Sequence, residues 1–83
     1  MYKVRILRRA VKDIARLPKE YSRLVVERID LLQENPRPAG AKKIQGTMDY
    51  RLRVGVYRIL YEINDHARVV TVYRVRHRRE AYR

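Results

Sequence analysis

Nine arginines fall within residues 50–83, and most stand between apolar residues on stretches that read as β-strand. Arg51 and Arg53 interrupt Tyr50, Leu52 and Val54, and Arg58 stands inside Val56-Tyr57-Arg58-Ile59-Leu60-Tyr61. The chain then closes on Arg74-Val75-Arg76-His77-Arg78-Arg79-Glu80-Ala81-Tyr82-Arg83. Successive strand residues point to opposite faces, so arginines alternating with apolar residues form a rigid row on one side of a sheet. Guanidinium groups held in a row match phosphate oxygens in both geometry and charge. The chemistry such a row suits is work on a phosphodiester backbone. Cutting RNA internally needs a base for the 2′-hydroxyl, an acid for the leaving 5′-oxygen and cations for the extra charge of the phosphorane.

Arginine supplies the electrostatic part but holds its proton too tightly for general acid–base work. Proton transfer therefore falls to Tyr82, to His77 or to groups brought by the substrate. His66 sits in a turn signal, Asn64-Asp65-His66, and reads as exposed. Two histidines eleven residues apart, with no carboxylate set around either, give no metal site. Only three glycines occur, all isolated, so there is no phosphate-cradling glycine loop. The single serine, Ser22, belongs to a helical stretch, and no Ser-His-Asp or Cys-His set can be assembled. Glu62, Asp65 and Glu80 are too few to neutralise the nine arginines, and no paired carboxylates are expected on the basic face.

The elements that must hold this row follow from periodicity. Tyr2, Val4 and Ile6 alternate with Lys3 and Arg5, which reads as a half-buried strand over residues 2–7. From Arg8 the spacing turns helical, and Pro18 ends a first helix and opens a second. The second, from about Pro18 to Glu34, carries a stripe of Tyr21, Leu24, Val25, Ile29 and Leu32 and stops at Asn35-Pro36-Arg37-Pro38. Residues 35–49 read as a connector pinned by Ile44. Strands follow from Tyr50 to Val54, from Tyr57 to Ile63, and from Val69 to Val75, with a turn or bulge at Gly55-Val56. The last strand is apolar on both faces at its start, which leaves its register open. The expected architecture is α+β: one domain over residues 1–83 in the order β-α-α-β-β-β. A mainly antiparallel four-stranded sheet packs against a helical hairpin and ends in a short basic tail. With the tyrosine faces under the helices, Arg51, Arg53 and Arg58 should emerge together on the open face.

Charge and composition narrow the partners. Lys and Arg total 21 against 9 Asp and Glu, a net charge of +12, and 16 of those cations are arginine. That excess calls for an anionic partner, nucleic acid or an acidic protein. There are no cysteines, and no apolar run resembles a signal peptide or a membrane span, so the expected setting is the cytoplasm, with no membrane and no small-molecule cofactor. Eighty-three residues give a small core, near the lower limit for folding unaided.

Leu52-Arg53-Val54-Gly55-x-Tyr57-Arg58-Ile59-Leu60-Tyr61 followed by Val75-x-His77-Arg78-Arg79-Glu80-x-Tyr82 resembles the RelE/ParE superfamily of type II toxin–antitoxin toxins. The element order, the Asn-Pro-x-Pro connector and Ile44-Gln45-Gly46 fit as well, so the resemblance spans the whole chain. It implies one of two activities. RelE-like members are ribosome-dependent mRNA endonucleases (mRNA interferases) that cut A-site mRNA by 2′-hydroxyl attack; ParE-like members share the fold and inhibit DNA gyrase. The RelE pattern places the catalytic set on Arg51, Arg53, Arg58, Arg78 and Tyr82. Lys42, Lys43, Arg74, Arg76, His77, Arg79 and Arg83 are expected to hold RNA. Retention of both Arg78 and Tyr82 favours the RNase branch. The implied partners are a cognate acidic antitoxin, the ribosome and mRNA. This chain departs from the pattern in having arginines where the second-strand cations are commonly lysines, and Arg76 where a glycine usually precedes His-Arg-Arg.

Overall fold

The computed structural model describes residues 1–80 of the chain. The order is β1 (Lys3–Ile6), α1 (Arg8–Ala15), α2 (Lys19–Leu31), β2 (Ala41–Lys43), β3 (Asp49–Val54), β4 (Tyr57–Asn64) and β5 (Val69–His77). One mixed sheet has the strand order β1-β5-β4-β3-β2. Among the described residues only the β1–β5 pairing is parallel, and the helical segment between β1 and the rest of the chain supplies the required crossover.

The helices cover one face of this sheet. Val25, Ile29 and Leu32, each 0% exposed, come from the second helical segment and meet Leu52, Val54, Ile59, Tyr61, Val70, Val72 and Val75. Each fully buried aliphatic side chain of this size contributes about 1.5–3 kcal/mol relative to exposure. The helical spacing of that stripe and the strand alternation thus describe the same interface. Pro18 stands at the N-cap of α2 with extended backbone, φ −53° and ψ 142°, so it separates the helices instead of occupying the first helical turn. Tyr61 is buried with its hydroxyl donating to the Pro36 carbonyl at 2.8 Å, which fastens the chain leaving α2 to the centre of the sheet. Burial pushes the Tyr61 hydroxyl up to about 12, so it remains a donor.

Two departures from the sequence expectation shape the functional face. Residues 41–43, expected to lie in an irregular connector, form a fifth strand that pairs antiparallel with β3. Three residues, two of them lysine, carry no alternation of their own; the partner strand defines them. The second departure is in β5. Its pairing with β4 is irregular between Leu60 and Tyr61, which face Arg74 and Val72, leaving Tyr73 as an extra residue. That bulge puts Val70, Val72 and Val75 on one face despite their uneven spacing.

Candidate nucleic-acid interface

Strand pairing builds the open face in rows. Arg53 of β3 lies opposite Arg58 of β4, which lies opposite Arg76 of β5. One step along, Lys42 of β2 lies opposite Arg51, which lies opposite Leu60. Cross-strand partners share a face, so Lys42, Arg51, Arg53 and Arg58 converge and line one cleft of about 170 Å³ with Gly40. Like charges placed directly across a sheet are destabilising in themselves. A local rule broken in this way is expected where a surface is shaped for a ligand rather than for stability.

Arg58 is the most buried of the four. It is 8% exposed, and its Nη1 donates to the carbonyls of Gly55 at 3.1 Å and Tyr57 at 3.0 Å. Gly55, with φ +60°, lies in the two-residue hairpin turn, and Tyr57 is the first residue of β4 after it. These two bonds hold the guanidinium in one orientation at the cleft that it lines. Arg53 is exposed and Arg51 half-buried. Arg78 reaches the same end of the sheet, since its backbone N–H donates to the Val56 carbonyl of that turn at 2.7 Å.

The remaining expected contacts divide. Lys42 joins the cleft because β2 exists; Lys43, opposite Tyr50, belongs to the other face. His77 also leaves the basic face. It pairs with Tyr57, packs edge-on against that ring at 5.7 Å between centroids, and accepts the Arg79 N–H on Nδ1 at 3.2 Å. Arg74 and Arg76, opposite Leu60 and Arg58, keep the phase of the basic face on the outer strand β5, where they also line a hollow with Asp13, Arg16, Leu17, Tyr57 and His77. Arg74 is ion-paired with Asp13 at 2.9 Å, and Arg76 approaches Glu80 at 3.6 Å. Arg79 is exposed in the closing turn. Tyr82 and Arg83 lie outside the described residues.

Carboxylates are present on the basic face after all. Asp49 and Glu62 lie directly opposite each other, in the same strand phase as Arg51 and Leu60. Tyr73, which the sequence reading passed over, donates its hydroxyl to Asp49 Oδ2 at 2.8 Å. Burial, the bond to Asp49 and the nearby Glu62 raise the Tyr73 pKa well above its ordinary value, so Tyr73 stays protonated. The carboxylates close one end of the cationic row. Asp65, a third carboxylate, lies near Arg68 and is held by Arg37 in a two-pronged ion pair at 2.8 and 3.2 Å.

Residues 4–82 match the family described as the ParE toxin of type II toxin–antitoxin systems, parDE. The chain belongs to the RelE/ParE family of toxins. It is 34% identical over 84 residues to Toxin RelG of Mycobacterium tuberculosis, covering 99% of this chain and 97% of that protein. The archaeal RelE–RelB complex from Pyrococcus horikoshii OT3 superimposes with a TM-score of 0.84 at 32% identity, covering 96% of this chain and 98% of that one. The toxin–antitoxin complex RelBE2 from M. tuberculosis gives a TM-score of 0.79 at 34% identity, covering 92% of this chain and 96% of that one. The two helices and the mixed sheet of this toxin are thus a RelE-like fold. Among the described residues, no helix of the toxin is long and apolar enough to cross a membrane.

Proposed function

We propose that this toxin is a ribosome-dependent, metal-independent endoribonuclease that cuts mRNA in the A site and is held inactive by an acidic antitoxin. The observation that carries the reading is the convergence of Lys42, Arg51, Arg53 and Arg58 in one cleft, with Arg58 already oriented by the hairpin carbonyls. In the reaction the 2′-oxygen attacks phosphorus, the bond to the 5′-oxygen breaks, and the products are a 2′,3′-cyclic phosphate and a 5′-hydroxyl. The cleft cations oppose the charge that grows on the non-bridging oxygens, the kind of interaction that supplies the largest share of many rate enhancements. Arg78, docked at the same turn, is assigned to the phosphate beside Arg58. The 2′ proton is assigned to Tyr82 acting as its phenolate, with water protonating the departing 5′-oxygen, because the other candidate from the chain, His77, packs against Tyr57 on the opposite face. An acidic antitoxin fits the +12 charge, and binding only the folded toxin it would raise the melting temperature.

The ParE description of the matching family supports a second reading, a gyrase inhibitor without catalysis. Translating ribosomes incubated with the toxin, followed by mapping of mRNA 5′ ends, separate the two. New ends within the A-site codon support the RNase. Intact mRNA together with inhibited gyrase supercoiling would replace it with the second reading.

A further inference from the structure

The bulge at Tyr73 decides where Arg78 ends up. Before it, Val69 to Val72 pair with Asn64 to Tyr61; after it, Arg74 to His77 pair with Leu60 to Tyr57. Were the pairing regular, every residue beyond Tyr73 would move by one position, about 3.3 Å, and change faces. Val75 would leave the core, and the Arg78 amide would no longer meet the Val56 carbonyl. Burial of Val75 selects the bulged phase, but a bulge can still migrate to a neighbouring residue unless something marks its place.

Asp13 marks it. β1 ends at Ile6, so among the described residues the outer edge of β5 beyond Val72 has no strand partner, and α1 lies there instead. The Asp13 side chain is 10% exposed. Its Oδ2 accepts the Val75 backbone N–H at 2.9 Å and the Arg74 Nε at 2.9 Å, and its Oδ1 accepts Arg74 Nη2 at 3.2 Å. One carboxylate thus holds the backbone and the side chain of the two residues that follow the bulge. On the other side, the Tyr73 hydroxyl is anchored to Asp49. We infer that Asp13 is a positioning residue for the proposed cleavage: by fixing the bulge at Tyr73 it sets the one-residue phase that delivers Arg78 to the hairpin turn beside Arg58. The inference rests on the RNase reading for its kinetic consequence and on geometry alone for its structural one.

The test uses Asp13→Ala and Asp13→Asn in the full-length toxin, with two readouts. The first is amide exchange at Val75 and Arg78 together with cross-strand proton contacts between Arg58 and Arg76 by NMR. The second is single-turnover cleavage on programmed ribosomes, with kcat separated from KM. Asp13→Ala should speed exchange at both amides by about tenfold or more, the scale of one lost charge-assisted hydrogen bond. It should weaken the Arg58–Arg76 contacts, and lower kcat by at least the same factor with KM little changed. Asp13→Asn, which can still accept from Val75, should recover part of both effects and serves as the folded variant if the alanine form does not fold. Unchanged exchange and contacts in Asp13→Asn and Asp13→Ala would overturn the inference. So would loosened contacts with full kcat. A wild-type toxin that cuts nothing sinks the RNase reading, while the NMR readout still decides what Asp13 holds.

Discussion

Arg58→Ala should cost this toxin both activity and stability, and the structure says how much of each belongs to the same group. The guanidinium is 8% exposed and donates to two carbonyls of the β3–β4 hairpin, at 3.1 and 3.0 Å. A hydrogen bond from a charged donor is worth about 1.5–3 kcal/mol, yet these carbonyls border an open cleft that water can enter after truncation. The expected loss is therefore about 2 kcal/mol, which in a domain of this size lowers Tm by roughly 8–16 °C. Arg78→Ala provides the contrast, because its structural bond is made by the backbone N–H and its side chain is exposed. Both variants should lose cleavage, but only Arg58→Ala should melt early. Thermal melts by circular dichroism, run beside the cleavage assay, read both quantities. An Arg58→Ala protein that melts with wild type would refute the claim that the hairpin carbonyls hold this guanidinium.

Three further outcomes follow from the same geometry. Gly55→Ala should destabilise by about 1–3 kcal/mol, measured by urea unfolding, because φ is +60° there and the new Cβ would lie 2.9 Å from Tyr21 Cε1; an unchanged midpoint would contradict it. Asp65 is held at about 2, below its ordinary 3.8, first by the Arg37 hydrogen bonds and then by the Tyr2 hydroxyl. A depressed carboxylate contributes fully above its unfolded value, so wild type should lose its advantage over Asp65→Asn as pH falls from about 4 towards 2; parallel acid-unfolding curves would count against the network. Charge reversal at Arg51 and Arg53 should flatten the salt dependence of RNA binding by about 0.7 in log–log slope for each phosphate contact removed. Reversal at Arg16 and Arg23, exposed on the helical side, should leave that slope largely intact, and equal effects from both pairs would move the binding face elsewhere.

Much of this arrangement was legible in the sequence, for reasons that can be named. The α2 stripe and the alternation from Tyr50 to Val54 each repeat at one period, so Val25, Ile29, Leu32, Leu52 and Val54 were identifiable as core. The same alternation put Arg51, Arg53 and Arg58 on one face. What escaped depends on pairing. β2 has no pattern of its own, so the strand that carries Lys42 to the cleft went unread, although Lys42 itself was expected to hold RNA. The β5 bulge breaks the parity on which strand reading depends: it gives Arg74 and Arg76 the phase of Leu60 and Arg58 and puts His77 on the face of Tyr57, so of these three expected RNA contacts only His77 falls behind the sheet. Asp13 lies 61 residues from Arg74, and nothing local announces that contact. Glu62 is different: it shares parity with Arg58 and Leu60, and that signal was present to be read.

The central claim is that the cleft performs 2′-hydroxyl attack on mRNA. The most direct measurement is single-turnover cleavage on ribosomes programmed with two mRNAs, identical except for a single 2′-deoxy nucleotide at the A-site cut position. The account predicts cleavage of the all-ribose message to a 2′,3′-cyclic phosphate and a 5′-hydroxyl, and none of the 2′-deoxy message, because its nucleophile is gone. Equal cleavage of both messages, or intact mRNA from both while the toxin blocks gyrase supercoiling, would contradict it.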